Sequence, residues 1–243
     1  MSRIRSNRLF LPALVATLLG VLLGSCAVNP ATGKRQLMLM SEAGEIAMGR
    51  EAHPQIMASM GVYDDQGVQE YVAELGAELA ALSERPNLPW TFTVLDDPAV
   101  NAFALPGGFI YVTRGIMTHL DSEAELVSVL GHEIGHVTGR HGAARMSKAQ
   151  LMQVGLGVGM IVSPELQQFG DLAMQSMQLL FLKYSRDDER QADDLGLRYT
   201  VAGGWDAREM PEVFGVLKSV GEAAGAGRVP GWLSTHPDPG ERQ

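Results

Sequence analysis

The feature that most constrains this chain is Val129–His141, VLGHEIGHVTGRH, which sets His132, Glu133 and His136 in an H-E-x-x-H pattern. On an α-helix, residues i and i+4 share a face about one turn apart. Both imidazoles can therefore reach one metal ion. Glu133 follows the first of them, on a side chain long enough to reach a water held by that ion. Two neutral nitrogens to hold the metal and a carboxylate to take a proton from its water are what a zinc hydrolase needs. A five-residue pattern also arises by chance, as a helix carrying two histidines and a glutamate on a polar face, so the rest of the chain has to decide. Ser122-Glu-Ala-Glu125 reads as a capping box that starts this helix, and Gly139 and Gly142 read as its end.

A second helix starts at Ser185 and carries Glu189, Ala192, Asp193 and Gly196 at i, i+3, i+4 and i+7. These share one face. Ala192 and Gly196 are small enough to let another helix come close. A close approach puts Glu189 within reach of a metal held by His132 and His136, and three protein ligands plus a water make the open site of a catalytic zinc. Asp193, one turn on, is placed to orient a ligand histidine. The metzincin pattern H-E-x-x-H-x-x-G-x-x-H fails on counting: Gly139 fits its glycine, but residue 142 is Gly142, and His141 misses by one.

Arg3, Arg5 and Arg8 precede Leu9–Leu23, an uncharged run of fifteen residues. As a helix it spans about 22 Å, short of a hydrocarbon core of about 30 Å. Basic start, short apolar run and small residues at its end describe an export signal over residues 1–25. The run closes Leu23-Gly24-Ser25-Cys26, similar to the bacterial lipobox, in which the cysteine is acylated. Cys26 is the only cysteine, so no internal disulfide can form. Ala27 rather than aspartate follows it, which by the bacterial sorting rule implies the outer membrane. The whole chain carries a formal charge of −9, and losing three arginines makes the remainder more acidic. That argues against a phosphate-binding surface for nucleic acid and against electrostatic attraction to anionic lipid, so acyl chains would do the anchoring.

Residues 26–45 are expected to form a lipid-linked arm with a turn at Ala31-Thr32-Gly33-Lys34, and residues 46–243 a single domain. Ser41 should cap a helix over Glu42–Met60 that is interrupted at Pro54, with His53 structural. Val68, Tyr71, Val72, Leu75, Leu79 and Leu82 repeat at helical spacing and predict a core-facing helix over Gln66–Leu82. Trp90–Leu95 predicts a strand. Asn101–Val112 predicts two more around Pro106-Gly107-Gly108, with an edge to which extended substrate could add. The methionines of 146–184 are expected as core filler, with a lid or lipid contact as alternatives. Leu195–Val201 is expected as a further core helix, and Asp206–Val220 as another, irregular at Pro211. These elements predict an α+β fold: a mostly helical, zincin-like domain with a small sheet beside the H-E-x-x-H helix.

H-E-x-x-H followed by S-R-x-x-E-x-x-A-D resembles the gluzincin metallopeptidases of the CaaX prenyl protease type, and more closely their soluble bacterial lipoprotein relatives. Asn101-Ala-Phe-Ala-Leu-Pro-Gly-Gly-Phe-Ile-Tyr-Val and Ser234-Thr-His-Pro extend the likeness, which runs from about Asn29 to the C-terminus. The resemblance implies a one-zinc endopeptidase, with His132, His136 and Glu189 as ligands and Glu133 as general base. It pairs Asp193 with His132 and has the edge at Asn101, Ala102, Phe103 and Ala104 align substrate. It places the segment of His236 and Arg242 near the zinc. Either could donate to the oxyanion, and His236 could instead bind the zinc and block it at rest, which is the role expected here. The resemblance does not carry a substrate over; the substrates expected here are misfolded or unassembled envelope proteins at the periplasmic face of the outer membrane. The competing expectation is a non-catalytic, zinc-containing lipoprotein chaperone for outer-membrane proteins.

Overall fold

A computed structural model describes residues 26–162, 183–223 and His236. The expected export signal, Arg242 and the role of the methionine-rich stretch beyond residue 162 lie outside the described residues. Among the described residues, no helix is long and apolar enough to cross a membrane.

β1 (Cys26–Val28) and β2 (Arg35–Leu37) form an antiparallel hairpin with Cys26 opposite Leu37. The turn falls where expected, closed by Gly33 N–H donating to Asn29 O at 2.8 Å. Ser41 caps α1 (Glu42–Met60), accepting from Gly44 N–H. Against expectation, α1 runs unbroken through Pro54. Tertiary contacts on both sides of the proline hold it straight. Gly49 lies against Phe109 and the Pro106 carbonyl, His53 Nδ1 shares a 2.7 Å hydrogen bond with the Tyr111 hydroxyl, and Ile56 and Met60 pack on Leu95, Phe109 and Tyr111. Packing of this kind outweighs one lost backbone bond.

α2 (Gln66–Ala81) buries Val72, Leu75 and Leu79, while Tyr71 and Leu82 of the predicted apolar face are exposed. β3 (Thr91–Leu95), β4 (Ala102–Leu105) and β5 (Phe109–Thr113) form a sheet in the order β3-β5-β4. β3 runs parallel to β5, with Val94 opposite Val112. β4 runs antiparallel to it, with Phe103 opposite Tyr111. Gly107, at φ +90°, makes the tight β4–β5 turn. α1 covers one face of the sheet. Against the other lies the main core, in which Val72, Phe92, Ile110, Leu130, Ile134 and Leu195 meet.

After α3 (Arg114–Met117) comes α4 (Glu123–Thr138), the helix of the motif. Ser122 accepts from Glu125 N–H, but the Glu125 carboxylate turns to Asp121 N–H, so the reciprocal half of the expected box is absent. α5 (His141–Val162) follows directly. α6 (Arg186–Ala202) opens on a complete capping box between Ser185 and Asp188 and continues to Ala202. Leu195–Val201 is therefore its second half and not a separate helix. α7 (Glu209–Ala223) carries Pro211 in its first turn. The α+β, mostly helical architecture is the one expected.

The pairing of α4 with α6 sets the geometry of the site. A Cβ on Gly196 would lie 2.8 Å from Gly131 C and His132 N, and one on Gly135 would lie 2.7 Å from Ala192 O. The two backbones touch, and only glycine permits it.

Candidate metal centre

α4 brings His132, Glu133 and His136 to this contact, and α6 brings Glu189 and Asp193. His132, His136, Glu189 and His236 each offer one donor atom, and the four atoms lie within 4.8 Å of one another with all four residues buried. His132 Nε2 is 3.0 Å from His136 Nε2 and 3.4 Å from His236 Nδ1. Glu189 Oε1 is 2.8 Å from His236 Nδ1 and 3.5 Å from His136 Nε2, and Glu189 Oε2 is 3.8 Å from His132 Nε2. Bonds of about 2.0–2.1 Å to a tetrahedral metal separate its ligand atoms by about 3.3 Å. The observed spacings bracket that value, so the donor set fits one four-coordinate ion.

Burial pushes His136 well below the ordinary imidazole range, and the neighbouring His132, His141 and His236 add to the effect. Burial therefore favours the neutral imidazole, which has a lone pair to offer a metal. Asp193 Oδ1 lies 2.8 Å from His132 Nδ1, which fixes the His132 proton on Nδ1 and turns Nε2 toward the shared position.

Glu133 is fully buried, and neither of its oxygens has a hydrogen-bond partner among the described residues. His236 Nε2 lies 3.7 Å from its Oε1. Burial, with Glu189 close by, raises its pKa well above the carboxylate range.

The profile of Peptidase family M48 matches residues 66–243. The chain belongs to this family. That membership places this M48 chain among the metallopeptidases. It is 36% identical over 179 residues to mitochondrial metalloendopeptidase OMA1 of Arabidopsis thaliana, a match covering 72% of this chain and 35% of that protein. It is 30% identical over 206 residues to the beta-barrel assembly-enhancing protease of Yersinia pestis, covering 82% and 42%. The Escherichia coli protein of the same name is 28% identical over 221 residues, covering 88% and 45%. The M48 chain thus spans less than half the length of these relatives.

In this M48 domain the segment expected to align substrate is the outer strand. Among the described residues β4 pairs only with β5, and it lies against α4. Ala102 is buried, Asn101, Phe103 and Ala104 are half-buried, and Asn101 Oδ1 has no hydrogen-bond partner among the described residues. Cys26 opens β1, far from the donor cluster in sequence but joined through the hairpin to the end of the helix that carries the motif. Asn29 Nδ2 donates to Thr138 O at 3.1 Å, and Gln36 Nε2 to Gly139 O at 3.2 Å.

Three further residues close round the cluster and were not singled out as site residues from the sequence. Tyr184 stacks on His136 with ring centroids 3.8 Å apart, and Arg145 Cζ sits 3.8 Å above the Tyr184 ring. His141 Nδ1 lies 3.0 Å from His136 Nδ1. Burial lowers the His141 pKa to about 4, against the pull of Asp188. A sequence signal existed for each. Tyr184 is the residue before the Ser185 cap, Arg145 lies one turn after His141, and His141 lies five residues after His136.

Proposed function

We propose that this chain is a zinc-dependent endopeptidase whose general base is Glu133. The observation that carries the reading is the buried, unpartnered Glu133 carboxylate beside the donor cluster. Burying such a group without hydrogen bonds costs several kcal/mol on general grounds, so a chain that keeps one has a use for it. Zinc held by His132, His136 and Glu189 supplies a Lewis acid that polarises the scissile carbonyl and makes water acidic enough to lose a proton near neutrality. Glu133 accepts that proton and passes it to the leaving nitrogen. A raised pKa suits a group that must both take and return a proton. Asp193 holds His132 in register. An extended peptide adding to β4 would present its backbone alongside α4.

His236 occupies a fourth donor position. With an ion bound, His236 would fill the position that water needs at rest, and turnover would require it to withdraw. The same four-donor arrangement favours a second reading, a closed structural zinc in a non-catalytic chaperone. Glu133 distinguishes the two, because a structural ion has no need of it.

We further propose attachment through acylated Cys26 at the periplasmic face of the outer membrane, with misfolded or unassembled envelope proteins as substrates. The signal-like N-terminus and Cys26 support the location, and the names of the assembly-enhancing relatives support the substrate class. The acidic chain supports no nucleic-acid partner. Cys26→Ser should leave the protein in the soluble fraction with its peptidase activity intact. Persistent pelleting with membranes would rule out the anchor.

The deciding experiment digests an unfolded protein with wild type, with Glu133→Gln and with chelator-treated wild type, while metal content is measured. The glutamine variant should retain its zinc and lose cleavage. Full cleavage by the pure variant would defeat the proposal.

A further inference from the structure

A metal-binding imidazole needs its lone pair on the ligand nitrogen and its proton on the other, and that proton needs an acceptor. For His132 the acceptor is Asp193. His136 turns Nε2 into the donor cluster, so its proton belongs on Nδ1. No carboxylate is recorded there: the atom 3.0 Å away is Nδ1 of His141, and both rings are 1% exposed.

We infer that His141 is a positioning residue for the metal ligand His136, its Nδ1 accepting the Nδ1–H of His136 so that the His136 Nε2 lone pair faces the metal position. The inference rests on the reading of the cluster as a zinc centre. A proton can lie on only one of two facing Nδ1 atoms, so His141 must be the Nε2–H tautomer, although that Nε2 is buried without a hydrogen-bond partner among the described residues. The backbone is built for this contact. Arg140 is the only non-glycine residue with positive φ among the described residues, at +54°, and it reverses the chain between α4 and α5. A Cβ on Gly139 would overlap the His141 ring. Glycine at 139 and a left-handed Arg140 together swing His141 back beneath His136, with ring centroids 5.1 Å apart at 81°. Tyr184 stacks on the same His136 ring and stops it from rotating. A neutral acceptor also adds no charge to a site that already holds Glu133 and Glu189. The histidine that misses a metzincin ligand position by one residue is thus placed to serve a ligand instead of being one.

The test uses the purified whole protein. Imidazole nitrogen NMR of zinc-loaded wild type should show His136 protonated at Nδ1 and His141 at Nε2; His141 protonated at Nδ1 would overturn the inference without any mutation. Zinc affinity, measured by competition with a chelator, should fall about 10- to 100-fold in His141→Phe, which keeps bulk and loses the acceptor. His141→Asn, whose side-chain oxygen can stand where Nδ1 stood, should restore most of it. Equal losses in both variants, or wild-type affinity in His141→Phe, would show a packing role only. Failure of wild type itself to bind zinc would instead defeat the metal-centre reading, and this inference with it.

Discussion

The carboxamide of Asn29 bonds to the Thr138 carbonyl, 3.1 Å away and 109 positions along the chain. Thr138 is the last residue of the helix that carries His132 and His136. Helix ends leave carbonyls without internal partners. Here three in a row accept from side chains: Val137 O, which also takes the Arg140 N–H, from Arg85 Nη1, Thr138 O from Asn29 and Gly139 O from Gln36. Two of those donors come from the N-terminal hairpin, outside the stretch that the family profile matches. Asn29→Ala should cost about 1–3 kcal/mol by stranding a buried carbonyl. Asn29→Asp, which keeps the acceptor for Ala31 N–H and loses the donor, should cost at least as much. Urea unfolding of the metal-free protein measures both, and wild-type stability in both would show that the hairpin is not a cap.

Gly196→Ala should separate α4 from α6, because its Cβ would meet backbone at 2.8 Å. Overpacking of this kind costs about 1–3 kcal/mol. His132 and Glu189 sit on opposite sides of that contact, so zinc affinity should fall together with stability. Gly215→Ala in α7, whose Cβ would meet nothing within 4 Å, is the control and should be neutral or slightly stabilising. Calorimetry and chelator competition on both variants check the contrast.

The metal-free protein should lose stability as pH rises because of Glu133. Its pKa is raised in the folded state, chiefly by burial and then by Glu189, so the folded chain holds a proton that the unfolded chain gives up above about pH 4. Stability from this group is complete below the unfolded value and is lost as pH climbs toward the folded one. Glutamine does not titrate. The melting temperature of Glu133→Gln should therefore draw ahead of wild type as pH increases from the carboxylate range toward neutrality. A gap that does not change with pH would contradict the assignment.

His236→Ala should reduce the protein donors around the zinc from four to three and raise kcat/KM on an unfolded substrate. X-ray absorption on the resting protein counts the donors. A fall of about 100- to 1,000-fold in kcat would mean instead that His236 stabilises the oxyanion.

The capping serines Ser41 and Ser122, the helix start at Ser185, the i, i+4 histidines and the small face of Glu189–Gly196 were legible because each depends on spacing within one helix. The break expected at Pro54 failed for the opposite reason. Local propensity disfavours the helix there, and the sheet beneath it overrides the preference through His53, Ile56 and Met60.

By itself the sequence determined which atoms could hold a metal and which carboxylate could act as base, since helical periodicity carries side-chain direction over a few residues. It determined the contact of the two site helices almost as well, because Ala192 and Gly196, at i+3 and i+7 from Glu189, leave room for a facing backbone. Only the tertiary structure decided how His136 and the end of its helix are held. Asn29 reaches Thr138, Tyr184 stacks on His136, and His141 faces His136 through a left-handed turn at Arg140. Two of these contacts join segments distant in the chain, and the third depends on one backbone angle. No periodicity encodes either, because both arise only when the elements have packed.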